Sequence, residues 1–209
     1  RWSFIGRNPL LTIKKVANQL QIEGEIPLEF DDNGKILDYV RTLQRNLSAP
    51  QIENFPPMYS GLLGYLGYDI VREIEDLPPP ANDDLQVPDA ILSIIGEVAA
   101  FDHWSQRVFL IANAIVKPQS SESEIKETYY ETKSRLDSLM LDGAKPLSEP
   151  LLDPPDLKID LVEVKPTISE NDYCEIVEKA KDYILDGDIF QVVLSQRFDF
   201  DLEANPFDA

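Results

Sequence analysis

The stretch "DGAKPLSEPLLDPPDLK" (142–158) constrains this chain most, because it sets Pro146, Pro150, Pro154 and Pro155 in one short run. A proline donates no backbone N–H and its ring collides with the preceding helical turn. Neither a helix nor a central strand can pass through such a stretch. Stable structure has to be built on either side of it. The sequence therefore divides into a first unit over 1–141, a proline-rich linker over 142–165 and the start of a second unit over 166–209.

Within the first unit the pattern begins as strands. "WSFIG" (2–6) ends at Gly6, "LLTIKKV" (10–16) follows Pro9, and "QLQIEGE" (19–25) alternates polar and apolar residues at the two-residue period of a half-buried strand. "DDNGK" (31–35) is turn chemistry, since Asn33 and Gly34 tolerate positive φ. A helix follows, with Ile36, Leu37, Val40, Leu43 and Leu47 on one side and Arg41, Gln44 and Arg45 turned away. "YSGLLGYLGYD" (59–69) repeats glycine every third residue but lacks the lysine and the spacing of a phosphate loop. It reads as a strand whose glycines admit a close neighbour. "DIVREIE" (69–75) reads as a short helical turn before Pro78, Pro79 and Pro80. From Ile91 to Ile115 two strand-like runs flank the turn "DHWSQ" (102–106). A helix over 121–141 then presents Ile125, Tyr129, Leu136, Leu139 and Met140 as its apolar side.

Beyond the linker, Ser169 and Asp172 form a capping pair for a helix marked by Tyr173, Ile176, Val177, Ala180, Ile184 and Leu185. Gly187 is its stop, and Cys174 sits at the boundary of its apolar face. "GDIFQVVLSQRF" (187–198) follows and reads as a strong strand. Phe190, Val192, Leu194, Phe198 and Phe200 share one face; Ile189, Gln191, Val193, Ser195 and Arg197 share the other. That second face suits either a polar pocket or solvent. So apolar a strand needs partners at its edges, and the residues after it supply none, so the expectation is a second unit cut short.

Composition narrows the function. Asp and Glu outnumber Lys and Arg by 38 to 19, a net charge of −19. Such a field repels phosphate backbones and anionic lipid, which argues against nucleic-acid and membrane partners. No apolar run reaches the ~18 residues of a bilayer span. One cysteine excludes an internal disulfide and fits a reducing compartment. One histidine with one cysteine cannot make an ordinary zinc site, and His103, alone in a turn, is not read as a catalytic base. The chain opens on Arg1, so a natural start upstream, with or without a targeting segment, is expected.

Four stretches carry a resemblance. "RWSFIG" (1–6), "GLLGYLGYDIVREIEDLP" (61–78), "VPDAILSIIGEVAAFDHWSQRVFLIAN" (87–113) and "GDIFQVVLSQRF" (187–198) together resemble the anthranilate synthase component I family, in order and across essentially the whole chain. The resemblance implies an α+β fold of mixed, mostly antiparallel sheets in a two-sheet sandwich with outer helices, truncated here. The first unit is the family's N-terminal region and 166–209 the opening of its chorismate-binding region.

The family's activity, as implied, is a lyase reaction of tryptophan biosynthesis. Chorismate binds with Mg²⁺, ammonia adds to the ring, and pyruvate leaves to give anthranilate. A glutamine amidotransferase subunit, component II, supplies the ammonia. The family's metal-binding and acid–base groups lie in later segments, so no catalytic residue and no metal ligand is carried onto this chain, which is expected to be inactive alone. The family's pocket for L-tryptophan, the feedback inhibitor, leaves Trp2, Ser3, Gln191 and Val193 as candidate inhibitor-binding residues. Trp2 and Ser3 can equally be plain strand residues. The nearest rival is 4-amino-4-deoxychorismate synthase component I of the folate pathway. Its members resemble "QVNLxQRF", so Val193 favours the anthranilate branch. A non-catalytic regulatory or assembly piece is the remaining alternative, and a cytoplasmic location is expected.

Overall fold

Thirteen consecutive residues, Ala90–Asp102, form a strand long enough to take three neighbours, and the first unit is organised around it. The computed structural model describes residues 1–17, 19–26, 34–78, 83–146, 163–202 and 205–206. They fall into two units, Arg1–Pro146 and Leu147–Ala209, the division lying at the first proline of the run. The linker prolines Pro150, Pro154 and Pro155 lie outside the described residues, as do Asp31, Asp32, Asn33, Pro79 and Pro80.

In the first unit β1 (Trp2–Val16) and β2 (Gln19–Gly24) form a hairpin, followed by α1 (Ile36–Asn46) and β3 (Leu62–Leu66). A 3-10 turn (Tyr68–Glu73), β4 (Ala90–Asp102), β5 (Arg107–Ala112) and α2 (Glu122–Gly143) complete it. The sheet has five strands in the order β2-β1-β4-β3, with β5 also on β4, and every pairing is antiparallel. β1 takes one edge of β4. On the other edge β3 pairs with Ala90–Ile94 and β5 with Glu97–Asp102, leaving a notch at Ile95 and Gly96.

The two segments read as separate strands, 2–6 and 10–16, are one strand. A register shift between Pro9 and Leu11 inserts an extra residue, and Asn8 takes a φ of +48° beside it. Before the bulge Trp2 and Phe4 stand opposite Asp102 and Ala100. After it Leu11, Ile13 and Lys15 stand opposite Ile94, Leu92 and Ala90. One inserted residue switches the inward positions from even to odd, so both halves pack despite a pattern that looks broken. Pro9 ends no strand here because the bulge accommodates its missing donor.

α1 buries Ile36, Tyr39 and Leu43 against Leu11, Ile13, Ile70, Leu92 and Ile94. Its cap residue Lys35 makes no side-chain cap. Glu73, brought from the 3-10 turn, does that work: it accepts from the N–H groups of Ile36 (2.9 Å) and Leu37 (3.0 Å) and from Lys15 Nζ (2.6 Å). A carboxylate at a helix N-terminus satisfies orphan donors and meets the positive end of the helix dipole. Burial would push the Glu73 carboxyl up, yet the Lys15 ammonium and the two N–H groups hold it below the usual carboxylate range.

Of the three repeated glycines, Gly64 and Gly67 admit a close backbone neighbour, whereas a Cβ at Gly61 would meet open space. A Cβ at Gly64 would lie 1.9 Å from the Ile91 carbonyl oxygen, at a φ of +154°, so β3 reaches β4 only without a side chain there. α2 starts with a complete capping box between Ser121 and Glu124. It is tied to the sheet by Arg7 to Asp142 (2.6 Å) and by Arg135 to the Asn113 carbonyl (2.8 Å). Of its expected apolar side, Leu139 is buried while Tyr129 and Met140 are exposed.

In the second unit Ser169 accepts from the Asp172 N–H to start α3 (Glu170–Leu185), and Gly187 ends it at a φ of +82°. β6 (Lys165–Pro166) and β7 (Phe198–Asp199) form a two-residue ladder. The strand expected over 187–198 is not formed beyond Phe198. A strand is held by partners, and among the described residues only Lys165 and Pro166 pair with this stretch. Side chains expected on both of its faces accordingly stand open, with Phe190 92% and Val193 84% exposed. Only Ala180 of the α3 face is buried, and Cys174, expected at a core boundary, is exposed.

Candidate functional site

The candidate inhibitor residues divide between the two units. Trp2 and Ser3 are consecutive on β1, opposite Asp102 and Phe101, so their side chains leave the strand in opposite directions. Trp2 enters an aromatic cluster: its ring lies 6.2 Å from that of Phe4 and 5.9 Å from that of Phe109. Phe109 in turn neighbours Phe55, which meets Tyr59 edge-on at 5.6 Å. Val98, Ala100 and Ile111 close the cluster from the sheet.

Above Trp2 the Arg1 guanidinium sits 5.4 Å from the ring centroid. It donates to both oxygens of Asp102 (3.1 and 2.9 Å), a two-point pairing. Asp102 is buried and also accepts from Ser105 Oγ and the Trp104 N–H. The Arg1 hydrogen bond, more than these two, holds its carboxyl far below the usual range against the opposing effect of burial. Ser3 points the other way, its Oγ 2.8 Å from His103 Nε2 on an exposed face. This is a hydroxyl–imidazole contact without the third member of a nucleophilic triad, because the adjacent Asp102 is committed to Arg1, Trp104 and Ser105.

Gln191 and Val193 lie in the second unit, in the extended stretch between Gly187 and β7, and both are exposed. Nearby, Gln196 donates to the Ile168 carbonyl (3.0 Å), while its Oε1 is buried with no hydrogen-bond partner among the described residues. The structure thus sets Trp2 and Ser3 back to back in one unit and places Gln191 and Val193 in the other.

Several charged groups of the first unit escaped the sequence reading. Glu97 is 1% exposed and is held by Arg7 (2.6 Å) and Asn8 (3.0 Å) at the bulge. Its signal was available: a carboxylate inside the apolar run "ILSIIGEVAAF" needs a buried partner. Lys15 and Glu73 are 58 positions apart, and nothing local announces their pairing. Among the described residues no group of three or more His, Cys, Asp or Glu side chains could hold a metal ion. No chemical step through Mg²⁺ is assigned to these residues.

A family model described as chorismate binding enzyme matches residues 7–209. The chain belongs to that family. Within the chorismate binding enzymes, anthranilate synthase component 1 of Arthrobacter globiformis is 33% identical over 210 residues, covering 100% of this chain and 39% of the relative. The protein of the same name from Acetivibrio thermocellus is 31% identical and covers 99% of this chain and 42% of its own length. A solved anthranilate synthase component I from Streptococcus pneumoniae matches with a TM-score of 0.76 at 26% identity, over 100% of this chain and 43% of that one. The α+β fold with antiparallel sheets is therefore shared with a solved chorismate binding enzyme. This family member spans about two-fifths of the length of the curated relatives it matches. No helix among the described residues is long and apolar enough to cross a membrane.

Proposed function

We propose that this chain is the N-terminal part of component I of a cytoplasmic anthranilate synthase, a lyase of tryptophan biosynthesis. The observation that carries the reading is the end-to-end match to proteins of that name, at 33% identity across the whole chain. The reaction converts chorismate and ammonia to anthranilate, pyruvate and water, with the ammonia delivered by a glutamine-hydrolysing component II. Mg²⁺ would polarise the substrate carboxylate; its ligands, like the acid–base groups, belong to segments outside these residues.

The described residues contribute scaffold and, in this proposal, individual groups that bind L-tryptophan. Trp2 and Ser3 from β1, with Gln191 and Val193 from the extended stretch, are the groups assigned to L-tryptophan. Trp2 offers an aromatic surface already braced by Phe4 and Phe109. Ser3 offers a hydroxyl whose partner is the exposed His103.

The test is anthranilate fluorescence from chorismate, ammonium and Mg²⁺, on this chain and on a version extended through its downstream gene sequence. Activity confined to the extended protein, and inhibited by L-tryptophan, is the expected result. Chorismate consumption without anthranilate would move the protein to the aminodeoxychorismate branch. Turnover by these 209 residues alone would overturn the placement of the catalytic groups.

A further inference from the structure

The notch left in the sheet between β3 and β5 opens into a cavity of about 760 Å³. Closely packed interiors leave few voids larger than a water molecule. This one lies in the size range of small-molecule pockets, which are mostly apolar with a few polar groups. Its apolar lining is aliphatic, with Leu43 from α1, Leu62 from β3, Ile94 from β4 and Ile125 from α2, while Gln44, Asn46, Ser48 and Ser60 add polar groups. Of the polar lining residues, Asn113 and Lys117 are placed for recognition. Asn113 spans the notch, its Nδ2 donating to the carbonyls of Tyr59 (3.0 Å) and Ile95 (3.2 Å). With both donors directed at backbone, its Oδ1 is the free acceptor, and it takes no hydrogen bond among the described residues. Lys117 is the one cation on the lining, which includes no Asp or Glu among the described residues. It forms no ion pair among them. Its charge reaches Glu124, but that carboxylate is engaged by the Ser121 N–H and Oγ.

We propose that this cavity is a binding site for a small apolar monocarboxylic acid, its hydrocarbon body among Leu43, Leu62, Ile94 and Ile125 and its carboxylate at Lys117. None of the four residues assigned to L-tryptophan lines it, so the proposal does not depend on that assignment. In a chain of net charge −19, a lone cation beside an aliphatic wall selects an anion by local contact rather than by the field of the whole protein. Asn113 Oδ1 adds a preference for a ligand with one hydrogen-bond donor on its body.

The probe is naphthalene-2-carboxylate, titrated into methyl-labelled protein and followed by NMR, with naphthalene-2-carboxamide as the neutral isostere. The acid should shift the methyls of Leu43, Leu62, Ile94 and Ile125 and bind at least about tenfold more tightly than the amide, the effect of one charge-assisted contact. Lys117→Ala should erase the acid-over-amide preference. Ala114→Trp, which fills the cavity from its exposed rim, should abolish the shifts while leaving the distant methyl spectrum unchanged. Saturating L-tryptophan should leave the naphthoate shifts in place. Equal binding of acid and amide, shifts elsewhere, no shifts, indifference to Ala114→Trp or displacement by tryptophan would each overturn the proposal.

Discussion

Glu73→Gln removes one negative charge from the place where the 3-10 turn, β1 and α1 meet. The Glu73 and Lys15 side chains are 7% and 10% exposed, so the pair is nearly out of water. Three donors converge on the carboxylate, from Lys15, Ile36 and Leu37. A glutamine presents one oxygen to them and, in either orientation, turns an NH₂ toward a donor. Among the described residues Lys15 Nζ then keeps the Gly34 carbonyl at 2.9 Å. Stranding one member of a buried pair costs about 3–5 kcal/mol, and the retained carbonyl puts this case near about 3. With a urea m-value of about 2 kcal/mol/M, the midpoint should fall by about 1.5 M. Lys15→Met should cost less, about 1–2 kcal/mol, because Glu73 keeps two helix N–H groups and the helix dipole. Circular dichroism during urea unfolding at pH 7 measures both. The pH dependence follows from the sign of the shift. The folded Glu73 carboxyl lies below its ordinary value of 4.5, so its contribution is full above that value and is lost as pH falls through the folded one. The gap between wild type and Glu73→Gln should therefore close on acidification below the ordinary value of 4.5. A loss under about 1 kcal/mol for Glu73→Gln, or a larger loss for Lys15→Met, would refute the assignment of Glu73 as the cap of α1.

Gly64→Ala should detach β3 from β4, since its methyl would lie 1.9 Å from the Ile91 oxygen; a loss of at least about 2–3 kcal/mol and faster amide exchange at Leu62–Leu66 are expected. Ser121→Ala removes one half of the α2 capping box and should lower stability by about 1 kcal/mol, read from the same urea curves. Phe109→Ala opens the cluster around Trp2 and should cost about 2–3 kcal/mol. It should also red-shift the tryptophan emission, because Trp104 is already 84% exposed and only Trp2 has shielding to lose.

Much of this fold was legible because its signals are local. The α1 stripe, the Ser169 cap, the Gly187 stop and the β4–β5 hairpin each depend on residues a few positions apart, whose backbone preferences act before any tertiary contact forms. The proline run predicts a division, and the two compact units part at Pro146 and Leu147. The α+β class and the family resemblance follow from the same order of local patterns. The candidate site was less legible. Alternation along β1 sends Trp2 and Ser3 to opposite sides, yet which side meets Phe109 depends on pairing with β4 and β5.

Tertiary structure alone decided what is fixed by distant partners. The Asn8–Leu11 bulge turns an apparent strand break into one continuous strand, because each half must keep its apolar side against β4. Glu73 caps a helix that lies earlier in the chain, and Glu97 is tolerated in the sheet because the bulge brings Arg7 and Asn8 to it. For "GDIFQVVLSQRF" the residues determined an apolar, strand-prone stretch but not a strand. Alternation is a property of side chains, whereas a β-strand exists only where another backbone completes its hydrogen bonds, and among the described residues the ladder is confined to Phe198 and Asp199.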